Sequence, residues 1–218
     1  MGTIISIEAP RGRGRQVQVR LDSGQCLYLG FAVVAESGLT AGQAVSLQQA
    51  QSLLAAEQVR RGLEIAHRLL GYRPRSRAEI ETRLRRAGVE ESALVQVLQR
   101  LQEQDLLDDV AFARFWREER ERVRPRGTRY LLWELDRLGV AADVAREAVA
   151  DLDEAASAYR VGQRLARTLA TADPGTFRHR LQAALRRRGF GGDAIRTATA
   201  RVCEEIEAQQ TAPEAPVP

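Results

Sequence analysis

Arginine is the only permanently charged basic residue type in this 218-residue chain: all 33 cations are guanidiniums, and lysine is absent. A guanidinium stays charged and offers a planar fork to phosphate or carboxylate, so the chemistry most available is anion recognition. The base composition of the genome accounts for an all-arginine complement as well. Net charge is only +4, so any anion-binding face has to be built by clustering. Three arginines recur in one setting: Arg86, Arg137 and Arg187 each stand two residues before a glycine. Arg85, Arg186 and Arg188 lie next to them, and Arg122, Arg124, Arg126 and Arg129 crowd into one short segment. Other arginines alternate with glutamates, as in REERER at 117–122, the pattern of a solvated helix face with i,i+4 pairs.

The residues that usually carry catalysis are sparse. His67 and His179 are the only histidines, and neither stands at a spacing from Cys, Ser or Asp that suggests a triad. No GxxxxGK[ST], strand-borne GxGxxG or HExxH motif occurs. The GRG step at 12–14 reads as a basic turn. Asp108-Asp109 precede an apolar helix, where carboxylates cap the positive helix end. Cys26 and Cys203 have no metal-ligand spacing and read as inert thiols of a cytoplasmic protein. The chain is therefore expected to have no catalytic residues, metal or cofactor.

An internal repeat positions the arginines. Gly88, Gly139 and Gly189 lie 51 and 50 residues apart. Leu84, Leu135 and Leu185 stand four residues before them, and Ile80, Leu131 and Leu181 eight before. Val89, Val140 and Phe190 follow directly, then Ser92, Asp143 and Asp193, then Leu101, Leu152 and Val202. The spacing predicts a helix with an i,i+4 apolar stripe that ends on a left-handed glycine. Ser92, Asp143 or Asp193 would then cap a second helix. Ser76 with Glu79 forms a capping box, and Asp173-Pro174 starts the equivalent third helix. One more helix precedes each pair, at about 58–71, 109–122 and 154–171. Arg86, Arg137 and Arg187 lie about 200° round from the inward leucines, so they point outward. They form either a ladder for an anionic partner or a solvated surface. Phe112, Phe115 and Trp116, and likewise Tyr130 and Trp133, have the spacing of core residues.

The fold expected is mainly α: three tandem three-helix repeats in an elongated array, after a small β-containing lobe. Lobe strands alternate, with Val17, Val19 and Leu21 on one face and a turn at Asp22-Ser23-Gly24. The expected boundaries are 1–50 for the lobe, 51–105, 106–153 and 154–207 for the repeats, and 208–218 for a proline-rich disordered tail. Apolar content of 44% supports a core, and aromatic content of 5% suits helices better than a β-sandwich. No run is long and apolar enough for a membrane span, and the first residues lack a secretory signal pattern.

RPRSRAEIETRLRRAGV (73–89), LLDDVAFARFWREER (106–120) and RPRGTRYLLWELDRLGV (124–140) resemble the RecX family. The middle segments match an LDD-x-x-FA pattern at Leu107, Asp108, Asp109, Phe112 and Ala113. A basic-Gly step follows at Arg126 and Gly127, then EL-x-x-x-G at Glu134, Leu135 and Gly139. LRRRGF (185–190) fits as well. The resemblance implies a monomeric, non-enzymatic regulator of the RecA recombinase. It would lie along the RecA–DNA filament and suppress ATPase, recombinase and co-protease activities, modulating DNA repair and the SOS response. Its contacts would be to RecA and to single- or double-stranded DNA backbone, through the ten arginines named above. Two other readings stand beside it: a tandem helix-turn-helix DNA binder and an inert helical scaffold. Base reading would fall to the second helices, whose N-termini (GVEES, GVAAD, GFGGD) carry Glu90, Glu91, Asp143 and Asp193. Acidic groups there repel phosphate and supply few base readers.

Overall fold

The computed structural model describes residues 2–9, 16–169 and 173–211. The GRG step at 12–14 and the tail from 212 onward lie outside the described residues. The chain forms two compact units, Met1–Asp108 and Asp109–Pro218.

The first unit opens with a four-stranded antiparallel sheet, in the order β3-β2-β1-β4. Its strands are β1 (Gly2–Glu8), β2 (Gln16–Leu21), β3 (Cys26–Gly30) and β4 (Ala44–Val45), with a short helix α1 (Phe31–Glu36) between the last two. The hairpin forms where the alternation placed it: Val17 pairs with Leu29 and Val19 with Leu27. Gly24, at φ +82, closes the turn. Val17, Val19, Leu21, Leu27 and Leu29 are all buried on one face.

Helix α2 (Leu47–Leu70) starts eleven residues earlier than expected, from a Ser46–Gln49 capping box. Its first half supplies Leu53 to the core of the lobe, and its second half supplies Val59 and Ala66 to the first repeat. The lobe and the first repeat thus share one continuous helix. Helices α3 (Arg77–Arg86) and α4 (Glu91–Glu103) complete the repeat. The Ser76–Glu79 capping box is present.

The second unit holds two further triplets. They are α5 (Asp109–Val123), α6 (Thr128–Arg137) and α7 (Ala142–Val149), then α8 (Glu154–Leu169), α9 (Pro174–Arg187) and α10 (Gly192–Thr211). Asp173 caps α9 by accepting from Thr176 N, with Pro174 in the first turn. Helix α10 extends to Thr211, past the boundary at 207 read from the sequence.

The same helix stop recurs three times. Gly88, Gly139 and Gly189 have φ of +76°, +76° and +81°. Their N–H groups donate to the carbonyls of Arg85, Asp136 and Arg186, and the residues after them donate to Leu84, Leu135 and Leu185. This double bond pattern is the Schellman motif, which satisfies otherwise orphaned carbonyls. It also explains the apolar residue after each glycine. Val89, Val140 and Phe190 fold back into the same cores as Leu84, Leu135 and Leu185.

The expected N-caps are corrected. Glu90 and Ala141, not Ser92 and Asp143, hold the cap positions of α4 and α7, with no side-chain cap bond. Ser92, Asp143 and Asp193 lie inside the first turns. The C-cap, the glycine and the apolar residue complete the turn, so one extended residue suffices to start the next helix.

Candidate functional site

The arginine-rich segment 122–129 is shaped by two glycines. Helix α5 stops at Val123, two residues before the buried Pro125, and Gly127 caps α6 in an extended conformation. Gly127 N donates to Arg188 O at 3.0 Å. A Cβ on Gly127 would fall inside the van der Waals radius of the Gly189 carbonyl, and one on Gly189 would lie 2.6 Å from Tyr130 Cβ. Only glycine allows this close approach of two backbones. Glu154, at the start of α8, fastens the junction. Its Oε1 accepts from Thr128 N (2.9 Å) and Gly191 N (3.1 Å), serving the N-terminal ends of α6 and α10 together.

This junction brings Arg124, Arg126 and Arg188 into one groove of about 350 Å³, joined by Arg164 from α8. Val161 and Leu165 also line it, and among the described residues no carboxylate does. Arg188 donates to Ala184 O at 2.9 Å. Burial, and then the charges of Arg126 and Arg187, hold its pKa below the ordinary arginine value. Four guanidiniums with no carboxylate beside them among the described residues of the groove favour a bound anion, and their forks suit phosphate. Arg164 was not singled out in the sequence. Its signal is the stripe Arg160, Arg164, Arg167 at i, i+4, i+7, of which Arg160 pairs with Glu121.

A second arrangement runs along the outside of α6. Arg126 lies over the Tyr130 ring at 4.4 Å, Tyr130 and Trp133 are 5.3 Å apart, and Arg137 lies over Trp133 at 5.1 Å. Trp133 is 49% exposed. The core reading of Tyr130 and Trp133 is therefore corrected: Leu131 and Leu135 fill the core instead. Rotation explains this, since residue 133 lies about 200° from Leu131. The relation that places Arg137 outside does the same for Trp133. Phe112 and Trp116 do pack in the core region.

The remaining arginines divide by partner. Arg187 adds its charge beside Arg188, and Arg129 and Arg186 line a neighbouring groove that also contains Glu154. Arg86 lies in the first unit, exposed, at the end of α3. Arg85 is neutralised by Glu81 and Glu91, and Arg122 by Glu119. The REERER segment is more than a solvated face. Arg120 makes a bidentate pair with Glu134 at 2.8 Å on both arms, and Trp116 Nε1 donates to the same carboxylate. Glu134 of the EL-x-x-x-G pattern thus ties α6 to α5.

His67 approaches Gln104, and Asp109 begins α5. Both cysteines are free, Cys203 within the core of the third repeat. Among the described residues no group of His, Cys, Asp and Glu could hold a metal. No described helix is long and apolar enough to cross a membrane.

Comparison with known proteins agrees with the geometry. Residues 63–101 match the RecX first three-helix domain, and 152–199 the RecX third three-helix domain. The Regulatory protein RecX of Prosthecochloris aestuarii is 37% identical over 137 residues, covering 63% of this chain and 90% of that protein. That of Mycolicibacterium smegmatis is 43% identical over 96 residues, covering 44% and 51%. A crystal structure titled regulatory protein RecX shares the fold at TM-score 0.68 and 19% identity, covering 92% of this chain and all of the other (100%). RecX from Lactobacillus salivarius does so at 0.60 and 19%, covering 70% and 99%. With this similarity over most of a relative's length, on a shared three-helix architecture, the chain belongs to the RecX family of regulatory proteins.

Proposed function

We propose that this chain regulates the RecA recombinase by docking an arginine-lined face on the RecA–DNA filament. It would thereby suppress ATPase, strand-exchange and co-protease activity and so modulate DNA repair and the SOS response, as a cytoplasmic monomer with no chemistry of its own. Family membership supports the regulatory role. The observation that carries the reading is the groove of Arg124, Arg126, Arg164 and Arg188, with no lining carboxylate among the described residues. Such a groove recognises phosphate without reading sequence. The helix-turn-helix alternative finds less support, because α7 has eight residues and the first turns of α4 and α7 carry Glu91 and Asp143.

Titrating the purified chain into RecA on single-stranded DNA tests the proposal. ATP hydrolysis should fall with added chain, and the chain should co-sediment with the filament. Undiminished hydrolysis, with no co-sedimentation, would contradict it. Replacing Arg86, Arg137 and Arg187 together with Ala should weaken suppression most at low salt. Suppression equal to the parent at every salt concentration would show that these three arginines do not contribute to docking.

A further inference from the structure

Trp133 is a large aromatic ring left half open to solvent on a helix that has a core of its own. Its ring meets Tyr130 on one side and the Arg137 guanidinium on the other, and Arg126 lies in turn over Tyr130, so the row runs Arg126, Tyr130, Trp133, Arg137. The ladder and the groove are continuous, because Arg126 both covers the Tyr130 ring and lines the arginine groove.

We infer that the outer face of α6 is a seat for single-stranded nucleic acid: a base stacks on Trp133, and the adjoining phosphates lie on Arg126 and in the groove of Arg124, Arg164 and Arg188. Aromatic stacking accepts any base, and arginines follow the backbone. The combination therefore requires an unpaired strand but no particular sequence. In a duplex the base faces are already covered by their neighbours, so Trp133 has nothing to stack on. Arg137 stands off its ring at 5.1 Å, against 4.4 Å for Arg126 over Tyr130. It is the cation placed to turn to a phosphate as a base takes its position. Burial and the neighbouring charges that depress Arg188 would be offset by a phosphate in the groove.

The inference deepens the filament reading by naming the unpaired strand as a direct ligand. Its test uses the full chain without RecA, so the two fail separately. The probes are an oligothymidylate, an abasic strand of equal length and a duplex of equal length. Oligothymidylate should quench tryptophan emission and bind more tightly than the other two. Trp116 is packed beneath Arg120 and bonded to Glu134, so the quench should vanish in Trp133→Ala. That variant should bind oligothymidylate about five- to 160-fold more weakly, the span of base–aromatic stacking, and no better than the abasic strand. Trp133→Phe should recover part of the loss. Arg164→Gln should keep the quench at saturation but reduce the salt dependence by roughly 0.7 in log–log slope. Equal affinity of the parent for oligothymidylate and the abasic strand, or undiminished binding by Trp133→Ala, would overturn the inference. The filament proposal would stand in either case if ATPase suppression persisted.

Discussion

Glu57 reaches from α2 into the lobe, where its carboxylate is buried. It accepts from Gly30 N at 2.6 Å, from Arg60 at 2.8 and 2.9 Å, and from Gln16 at 3.3 Å. Burial alone would raise its pKa, but the bonds from Arg60, Gly30 and Gln16 bring it below the ordinary 4.5. A carboxyl held lower in the folded state stabilises the fold above its unfolded pKa and loses that contribution as pH falls through the folded one. The first unit should therefore show no loss from this group between neutrality and about pH 4.5, and progressive loss below it. Glu57→Gln should cost about 1.5–3 kcal/mol at neutral pH, the worth of a charged hydrogen bond, and should weaken the acid dependence. Denaturant melts across pH check both. All that the sequence places near Glu57 is Arg60, three residues on. Its partners Gln16 and Gly30 lie far off along the chain, and only the tertiary fold brings them in. Gly127 and Glu154 were invisible as junction residues for the same reason.

At the scale of elements, the repeat was largely legible, because a Schellman stop imposes local requirements at fixed offsets. It needs a glycine able to take positive φ, a leucine four residues before and an apolar residue after. Leu84, Leu135 and Leu185 are all fully buried. Leu135→Ala should cost about 2–5 kcal/mol in a denaturant melt, and a loss near zero would separate it from the core. Gly88 and Gly189 should differ on substitution. A Cβ on Gly88 meets nothing within 4 Å, whereas one on Gly189 meets Tyr130 at 2.6 and 2.8 Å. Gly88→Ala should therefore cost only the left-handed conformation, about 1–2 kcal/mol, while Gly189→Ala should add an overpacking cost of about 1–3 kcal/mol. Equal losses in thermal melts would contradict the close junction. The caps were misplaced by two residues because the tight turn, not a capping side chain, decides where the second helix starts. Trp133 was misassigned because i,i+3 spacing to Tyr130 defines a shared face without saying whether it is the inner one.

For the whole molecule, composition and periodicity led to helical repeats after a small β lobe, and three-helix relatives have the same architecture. The continuity of α2 was not legible, because its first turns are polar and alanine-rich and carry little periodic signal. A chain truncated near residue 50 should keep hydrogen-exchange protection in α3 and α4. It should lose protection in the first half of α2, where Leu53 and Glu57 lose their lobe partners. Loss throughout α3 and α4 would show that the lobe and first repeat fold only together. The arginine pairs of Glu81, Glu91 and Glu119 show why counting arginines could not locate a binding face: geometry decides which guanidiniums keep free charge. The most direct measurement of the central claim is RecA ATPase suppression by the parent chain and by a variant with Arg124, Arg126, Arg164 and Arg188 all replaced by Gln. The variant should fold as the parent does and suppress far less, with a smaller dependence on salt. A folded variant that suppressed RecA as strongly as the parent at every salt concentration would contradict the assignment of this groove to the filament.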